Sequence, residues 1–188
     1  MRYSINTELS EIETYLIGSI VSQWGFLESD IFAQTFQSFK DGEEIPASIK
    51  KNVQFSQALD LWLKRVVEIH GAEEKSVLTE QYEKIKSHSD FRQAIVHSRW
   101  EWEPDAPNVI TAERVHKETI KRVSFTAEDI REFAESLGEI RFFIRYPVGL
   151  EDRAKEMGKS SGHITRPFWD LLSGRAQPDD LTNGQNKE

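Results

Sequence analysis

Residues 8–39 carry apolar side chains mostly at steps of three and four, a spacing that places them on one side of an α-helix. The stripe consists of Leu9, Ile12, Leu16, Ile20, Trp24, Leu27, Ile31 and Phe39. Such a face must be covered by other elements, because helices gain most of their stability from packing. Asp41-Gly42 supplies a stop signal. The pattern predicts a helical assembly built on this first helix.

Three further helices are expected from the same periodicity. The second starts at Ser48 as a cap, runs to about His70 and stops at Gly71. The third covers about residues 73–98, with a polar stretch at 86–90 as a candidate interruption. The fourth opens at Thr126, whose Thr-Ala-Glu-Asp sequence is typical of a helix start. It ends before Pro147-Val148-Gly149.

The pattern changes after Ser98. Trp100 and Trp102 alternate with acidic residues, turn-forming residues follow at 104–108, and β-rich runs occupy 109–111 and 120–125. The predicted fold is therefore mainly α: an up-and-down four-helix-type bundle with a small β-hairpin or meander inserted before the last main helix. Trp100 and Trp102 either pack this insertion onto the bundle or a second subunit, or stack on nucleic-acid bases.

The chain divides into two parts on this reading. Residues 1–147 form the helical bundle, and residues 148–188 form a polar C-terminal tail. Within the tail, residues 164–172 form a short apolar segment, expected to dock on the bundle or on a partner. Residues 173–188 have a composition typical of disorder.

Composition narrows the function classes. The 188 residues include 24 Lys+Arg against 32 Asp+Glu, a net charge of −8, and no cysteine. Without cysteine there is no disulfide framework, thiolate zinc site, iron–sulfur cluster or cysteine nucleophile. No apolar run is long enough to span a membrane, and acidic residues stand where a signal peptide needs basic ones. We expect a cytoplasmic protein that does not bind membranes.

The charge is unevenly distributed along the chain. Residues 1–47 have a net charge of −6, whereas residues 84–100 have +3 and residues 113–125 have +2. The basic windows predict contacts with a nucleic-acid backbone, with ordinary variation of a solvated surface as the alternative. The predicted backbone contacts are Lys84, Lys86, Arg99, Arg114 and Lys121.

No metal or cofactor site is predicted. The five histidines do not form a close pair at helical spacing with a carboxylate partner. These residues are His70, His88, His97, His116 and His163. No dinucleotide-binding glycine fingerprint is present.

Arg92 and His97 are the leading candidates for chemistry. Histidine transfers protons near neutral pH, and arginine stabilises charge on phosphate, so the two suit RNA cleavage in which the 2′-OH attacks its own phosphate. Five steps of roughly 100° place them about 140° apart on an ideal helix. They converge only if the helix ends or bends at His97, or if they act across a dimer. The alternative is that His97 is a structural partner of the helix end.

The order Arg92, Gln93, His97 resembles the signature of the HEPN superfamily of helical bundles, an Arg, often a polar residue, then a His. The patch from Trp24 to Glu28 and the pair Phe125-Thr126 resemble a subgroup of small bacterial HEPN-like proteins with an Arg-x4-His motif. The resemblance covers about residues 8–146. Relative to the commonest pattern, Gln93 replaces Asn and Ser98 replaces Gly.

The resemblance implies a homodimer that brings two Arg/His motifs together. It implies a metal-independent endoribonuclease or RNA-binding protein of a toxin–antitoxin or defence system, with His97 as general acid/base, Arg92 on the phosphate and Gln93 as polar support. Other members are non-catalytic dimerisation or partner-binding modules, so that alternative stays open. A third possibility is an antitoxin-like regulator whose acidic first helix meets a basic protein partner.

Glu28 lies on the apolar stripe of the first helix, where a lone buried charge is costly. We therefore expect Glu28 to contact Arg92. This contact either orients the Arg92 side chain for catalysis or only fixes the packing of the helices.

Overall fold

The computed structural model describes residues 9–51, 54–116, 118–159 and Gly174. These residues form a mainly helical fold with a small antiparallel sheet, as predicted. In chain order the elements are α1 (Glu11–Gln37), α2 (Ala47–Lys50), α3 (Phe55–Arg65), a 3-10 turn (Val67–Ile69), α4 (Ala72–His97), β1 (Arg99–Glu103), β2 (Ala106–His116), β3 (Thr119–Thr126), α5 (Ala127–Arg145) and α6 (Leu150–Lys159). The predicted segments 164–172 and 173–188 lie outside the described residues, apart from Gly174.

Helix α1 begins with a capping box. The Ser10 hydroxyl accepts from the Glu13 backbone N–H, and the Glu13 carboxylate accepts from the Ser10 N–H. These bonds satisfy two amides that have no partner within the helix. Five members of the predicted stripe, together with Ile17 and Thr35, form the buried face of α1: Leu16, Ile20, Trp24, Leu27 and Ile31. Ile12, also predicted on the stripe, is 52% exposed.

The predicted second helix is instead three short pieces. Helix α3 ends at Arg65, and a 3-10 turn over Val67–Ile69 changes the side-chain phase. Val67 is therefore fully buried, whereas Ile69, expected on the apolar stripe, is 75% exposed. Two consecutive β-branched residues, Val66 and Val67, disfavour continuation of the α-helix here.

Helix α4 is continuous through the polar stretch 86–90, where an interruption was a candidate. Local and tertiary hydrogen bonds accommodate these polar side chains. The Ser87 hydroxyl donates to the Lys84 carbonyl at 2.8 Å, and His88 Nε2 lies 2.8 Å from Ser136 Oγ of α5.

The helix directions differ from an up-and-down order. Phe55 contacts Trp24, Trp62 bonds to Gln34, and Arg65 bonds to Ser38, so α1 and α3 run in the same direction. An up-and-down bundle would make these consecutive helices antiparallel. The connection that contains α2 returns the chain towards the start of α1 before α3 begins.

Helix α5 also runs parallel to α1. Arg141 pairs with Asp30 at 2.8 Å, and the Gln34 amide donates to the Ile144 carbonyl at 2.9 Å. Helix α4 runs in the opposite direction, because His88 meets Ser136 while Phe91 meets Phe133. The C-terminal end of α4 therefore lies at the end of the bundle where α1 and α5 begin.

The sheet occupies this same end and has the order β1-β2-β3, the predicted meander. Ile110, Ala112 and Phe125 bury their side chains against the helices. Thr126 forms the capping box of α5 with Asp129, so the last strand leads directly into a helix. Trp100 is half-buried against the core and Trp102 is 46% exposed, so Trp100 has the packing role.

Helix α6 was not anticipated from the sequence. Gly149 has a φ of +86°, a left-handed conformation that allows the sharp turn after α5. The Asp152 carboxylate accepts from the Val148 N–H at 3.0 Å, and Ala154 is buried. Among the described side chains of α6, only Ala154 is fully buried. The sequence of this segment therefore shows almost no apolar stripe.

Candidate functional site

Arg92 and His97 lie in contact at the C-terminal end of α4. Arg92 Nη1 is 3.1 Å from His97 Nε2. The contact is possible because α4 ends at His97, and Ser98 has the extended conformation of the following strand. The sequence left three ways for the two side chains to converge: a helix end at His97, a bend there, or contact across a dimer. The helix end is the one that the structure shows.

The contact fixes the hydrogen-bonding role of His97. A guanidinium has only donors, so Arg92 must donate and His97 Nε2 must accept. His97 then carries its ring proton on Nδ1. Its side chain is exposed, so this ring reaches solvent at the edge of the bundle.

The Trp24 ring lies beside the Arg92 guanidinium, on the side of Arg92 that faces the core. The guanidinium carbon lies 5.7 Å from the centroid of the Trp24 ring. A cation over an indole face is attracted by the ring electrons. The Arg92 guanidinium therefore lies beside the Trp24 ring of α1, and its Nη1 contacts His97 Nε2.

Three buried polar atoms belong to Arg92 itself or to residues that follow His97 within three positions. None of them has a hydrogen-bond partner among the described residues. They are Arg92 Nε, Ser98 Oγ and Trp100 Nε1. Buried polar groups are nearly always paired in folded proteins. Two of these atoms are donors only, so the region retains unused capacity to donate to an oxygen-rich group.

Glu28 does not pair with Arg92, contrary to the prediction. Glu28 Oε1 accepts a hydrogen bond from Trp24 Nε1 at 2.7 Å, and among the described residues no ion pair joins it to Arg92. Trp24 and Glu28 are four residues apart and are neighbours on α1. Glu28 therefore acts on Arg92 only through the ring that both contact.

Gln93 is half-buried and forms no hydrogen bond to Arg92 or His97 in the described part of the chain. It lines a cavity between α1, α3 and α4, together with Glu28 and Lys86. The other lining residues are Trp24, Gln54, Phe55, Ser56, Leu59, Ile85 and Ser89. Gln54 and Ser56 were missed by the sequence reasoning, which placed them inside a continuous helix. Ser89 stands one helical turn before Gln93, and that spacing was the available signal.

Most of the predicted phosphate-binding residues have partners. Lys84 pairs with Glu80 at 2.7 Å, Arg99 with Glu101 at 3.2 Å and Arg114 with Asp90 at 3.8 Å. The Lys86 ammonium lies 5.0 Å from the Tyr82 ring centroid, and its hydrogen bond to Tyr82 raises the pKa of Lys86. Lys121 is exposed and forms no ion pair in the described part of the chain.

Arg114 and Lys121 stand directly opposite each other on β2 and β3. Like charges in such a cross-strand pair repel, which favours a site where an anion separates them. Asp90, the partner of Arg114, is seven residues before His97 and therefore on the same side of α4. The five predicted cations thus form two groups, one along α4 and one on the sheet.

His88 is a second histidine in a specific environment. It stacks on Phe133 at a centroid distance of 5.0 Å and bonds to Ser136. Burial, with a smaller contribution from the nearby Lys84 charge, lowers the pKa of His88. This arrangement joins α4 to α5 and is separate from the Arg92–His97 contact.

Among the described residues there is no group of three or more His, Asp or Glu side chains that could hold a metal ion. No described helix is long and apolar enough to cross a membrane. Comparisons with protein-family models, curated proteins and solved structures found no match.

Proposed function

We propose that the protein is a HEPN-like, homodimeric, metal-independent endoribonuclease with Arg92 and His97 as its catalytic pair. The observation that carries this proposal is the 3.1 Å contact between Arg92 and an exposed His97 at the end of the bundle that carries the sheet. Proton transfer and phosphate stabilisation are the two roles that cleavage by an internal 2′-OH requires. The HEPN resemblance of the Arg-x4-His order supports the same assignment.

Phosphate binding activates this pair. A phosphate oxygen accepts more strongly from a guanidinium than a neutral imidazole does. When a phosphate takes Arg92, His97 Nε2 is released and can accept the proton of the ribose 2′-OH. The 2′-oxygen then bonds to phosphorus while the bond from phosphorus to the 5′-oxygen breaks.

The products are a 2′,3′-cyclic phosphate and a 5′-OH end. The departing 5′-oxygen must receive a proton, and a protonated His97 donates it, in the same subunit or from the second motif of a dimer. Arg92 stabilises the negative charge that builds on the phosphate oxygens. Lys121 and Arg114 contact the flanking backbone.

The test is RNA cleavage by the full chain in the presence of a chelator. Wild type is compared with His97→Ala and Arg92→Ala, and His70→Ala serves as the matched control because His70 precedes α4 and bonds to Glu74. Cleavage by wild type and the control, but not by the other two variants, is expected. Equal behaviour of all four proteins, with folding intact, would overturn the proposal.

A non-catalytic partner-binding or dimerisation module is the second candidate. The observation in its favour is the outer face of α1, where Tyr15 is 73% exposed and Phe26 and Phe36 are each 53% exposed. Exposed aromatic groups on one helix face are typical of interaction surfaces. Light scattering of wild type and Phe26→Glu tests this face, and a monomeric variant that still cleaves RNA would separate association from catalysis.

A further inference from the structure

A cavity of about 480 Å³ lies between α1, α3 and α4, next to the catalytic pair. Its volume is in the range of sites that bind small organic groups. Trp24, Leu59 and Ile85 are buried and give it an apolar base. Its rim is polar, with Glu28 from α1, Lys86 and Gln93 from α4, Gln54 before α3 and the Ser56 hydroxyl from α3.

The cavity and the catalytic pair share one wall. Trp24 lines the cavity, and the same ring lies 5.7 Å from the Arg92 guanidinium carbon. Gln93 also lines the cavity and directly follows Arg92 in the chain. A nucleotide whose phosphate lies on Arg92 can therefore place its base in this cavity, across the Trp24 ring that both share.

The rim combines one strong acceptor with several donors. Glu28 Oε1 accepts from Trp24, while Oε2 has no hydrogen-bond partner among the described residues. Lys86 supplies an ammonium, and Gln54 and Gln93 supply amide N–H groups. The half-buried Phe55 adds an aromatic wall, and it meets Trp24 edge to face at 5.8 Å.

We propose that this cavity binds the guanine base of the RNA whose phosphate lies on Arg92, so that cleavage occurs next to guanosine. The inference rests on the proposed ribonuclease function and names the base that the site selects. Guanine N1–H and its 2-amino group donate to the Glu28 carboxylate. Guanine O6 and N7 accept from Lys86 and the amides, a pairing that cationic side chains commonly make with this base.

The other bases fit this rim less well. Adenine presents an acceptor, N1, where guanine has a donor, so it meets the Glu28 carboxylate with repulsion. Uracil offers one N–H between two carbonyl oxygens, and cytosine offers a single amino group next to two acceptors. Both pyrimidines are also smaller and leave more of the apolar base of the cavity uncovered.

The test compares wild type, Glu28→Gln and the control Glu83→Gln, an exposed residue of α4. Glutamine at position 28 keeps an oxygen acceptor for Trp24 but replaces the second carboxylate oxygen with an amide donor. Calorimetry measures binding of guanosine, adenosine, cytidine and uridine 3′-monophosphates to each protein. Sequencing of RNA ends after limited cleavage measures the base at the cut site.

Wild type and Glu83→Gln are expected to bind the guanosine monophosphate about tenfold or more tightly than the other three. Glu28→Gln is expected to lose most of this preference, and guanosine is expected to lose its dominance at the cut site. Cleavage without base preference, with equal binding of all four monophosphates, would overturn the guanine site and leave the ribonuclease proposal standing. Selective guanosine monophosphate binding without any RNA cleavage would overturn the ribonuclease and retain the guanine site.

Discussion

Arg92 Nη1 lies 3.1 Å from His97 Nε2, across the last turn of α4. Two residues that are about 140° apart on an ideal helix meet because the helix stops at the second of them. The contact requires a neutral His97 with Nε2 as acceptor. In the proposed mechanism, Nε2 is the atom that takes the 2′-OH proton once a phosphate has replaced it as the partner of Arg92.

The first prediction concerns the shape of the Arg92 side chain. Arg92→Lys keeps the positive charge but removes the planar fork whose N–H groups can bond to two phosphate oxygens together. We expect RNA affinity to stay within a few-fold while the cleavage rate falls by about 10²–10³-fold, as for loss of a charge-stabilising donor. Single-turnover kinetics with excess enzyme separates the two quantities. Wild-type cleavage by this variant would mean that Arg92 acts only as a point charge.

The second prediction concerns the bond from Trp24 to Glu28. Glu28→Leu removes the acceptor of a buried indole N–H, and an unpaired buried donor costs about 1–3 kcal/mol. Glu28→Gln retains an oxygen at this position, so its free energy of unfolding is expected to stay close to that of wild type. Urea unfolding monitored by tryptophan fluorescence measures both changes. Equal destabilisation by the two variants would assign the effect to charge instead of the hydrogen bond.

The sequence predicted those parts of the fold that are determined by residues close together in the chain. The stripe of α1, the cap at Thr126 and the meander after Ser98 follow from neighbouring residues and are all present. The end of α3 at Arg65, inside the predicted second helix, was missed because the 3-10 turn over Val67–Ile69 keeps apolar residues in the sequence while changing the direction of their side chains. Helix α6 was missed because one alanine forms its buried contact.

The candidate site could be predicted only in part, because some of its residues come from segments that are distant in the sequence. Arg92 and His97 are close in sequence, and the change of pattern at Ser98 indicated the helix end that brings them together. The partner of Glu28 was predicted wrongly because Trp24, a neighbour on the same helix, competes for the carboxylate. The cavity beside Gln93 needs Gln54 and Ser56 from a distant segment, and no periodicity in the sequence indicates such a meeting.

The third prediction concerns the cations of the sheet. Lys121→Ala removes an exposed charge with no ion pair in the described chain, next to Arg114 across the strands. If it binds an RNA phosphate, the plot of log affinity against log salt concentration becomes shallower by about one unit. Lys40→Ala is the control, because Lys40 follows the C-terminal end of α1, at the opposite end of the bundle from the sheet. An unchanged slope for Lys121→Ala would remove this strand from the RNA interface.

The fourth prediction concerns pH and the packing of α4 on α5. Burial lowers the pKa of His88 below its ordinary value of 6.5, with a smaller effect of Lys84. The unfolded chain therefore binds a proton more readily than the folded one, so the stability from neutral His88 is present above about pH 6.5 and is lost as pH falls through the lower folded pKa. We expect the free energy of unfolding of wild type to fall between about pH 7.5 and pH 5, and His88→Gln to show a weaker dependence over that range.

The control for this pH effect is Ser136→Ala, which removes the hydroxyl bonded to His88 but keeps the buried imidazole on Phe133. Its unfolding should remain sensitive to acid, because burial is the main cause of the lowered pKa. The carboxyl groups of Asp129 and Glu132 line the same groove, so the quantity to compare is the difference in slope between wild type and each variant. Equal slopes for wild type and His88→Gln would show that other groups, such as these carboxylates, account for the loss of stability in acid.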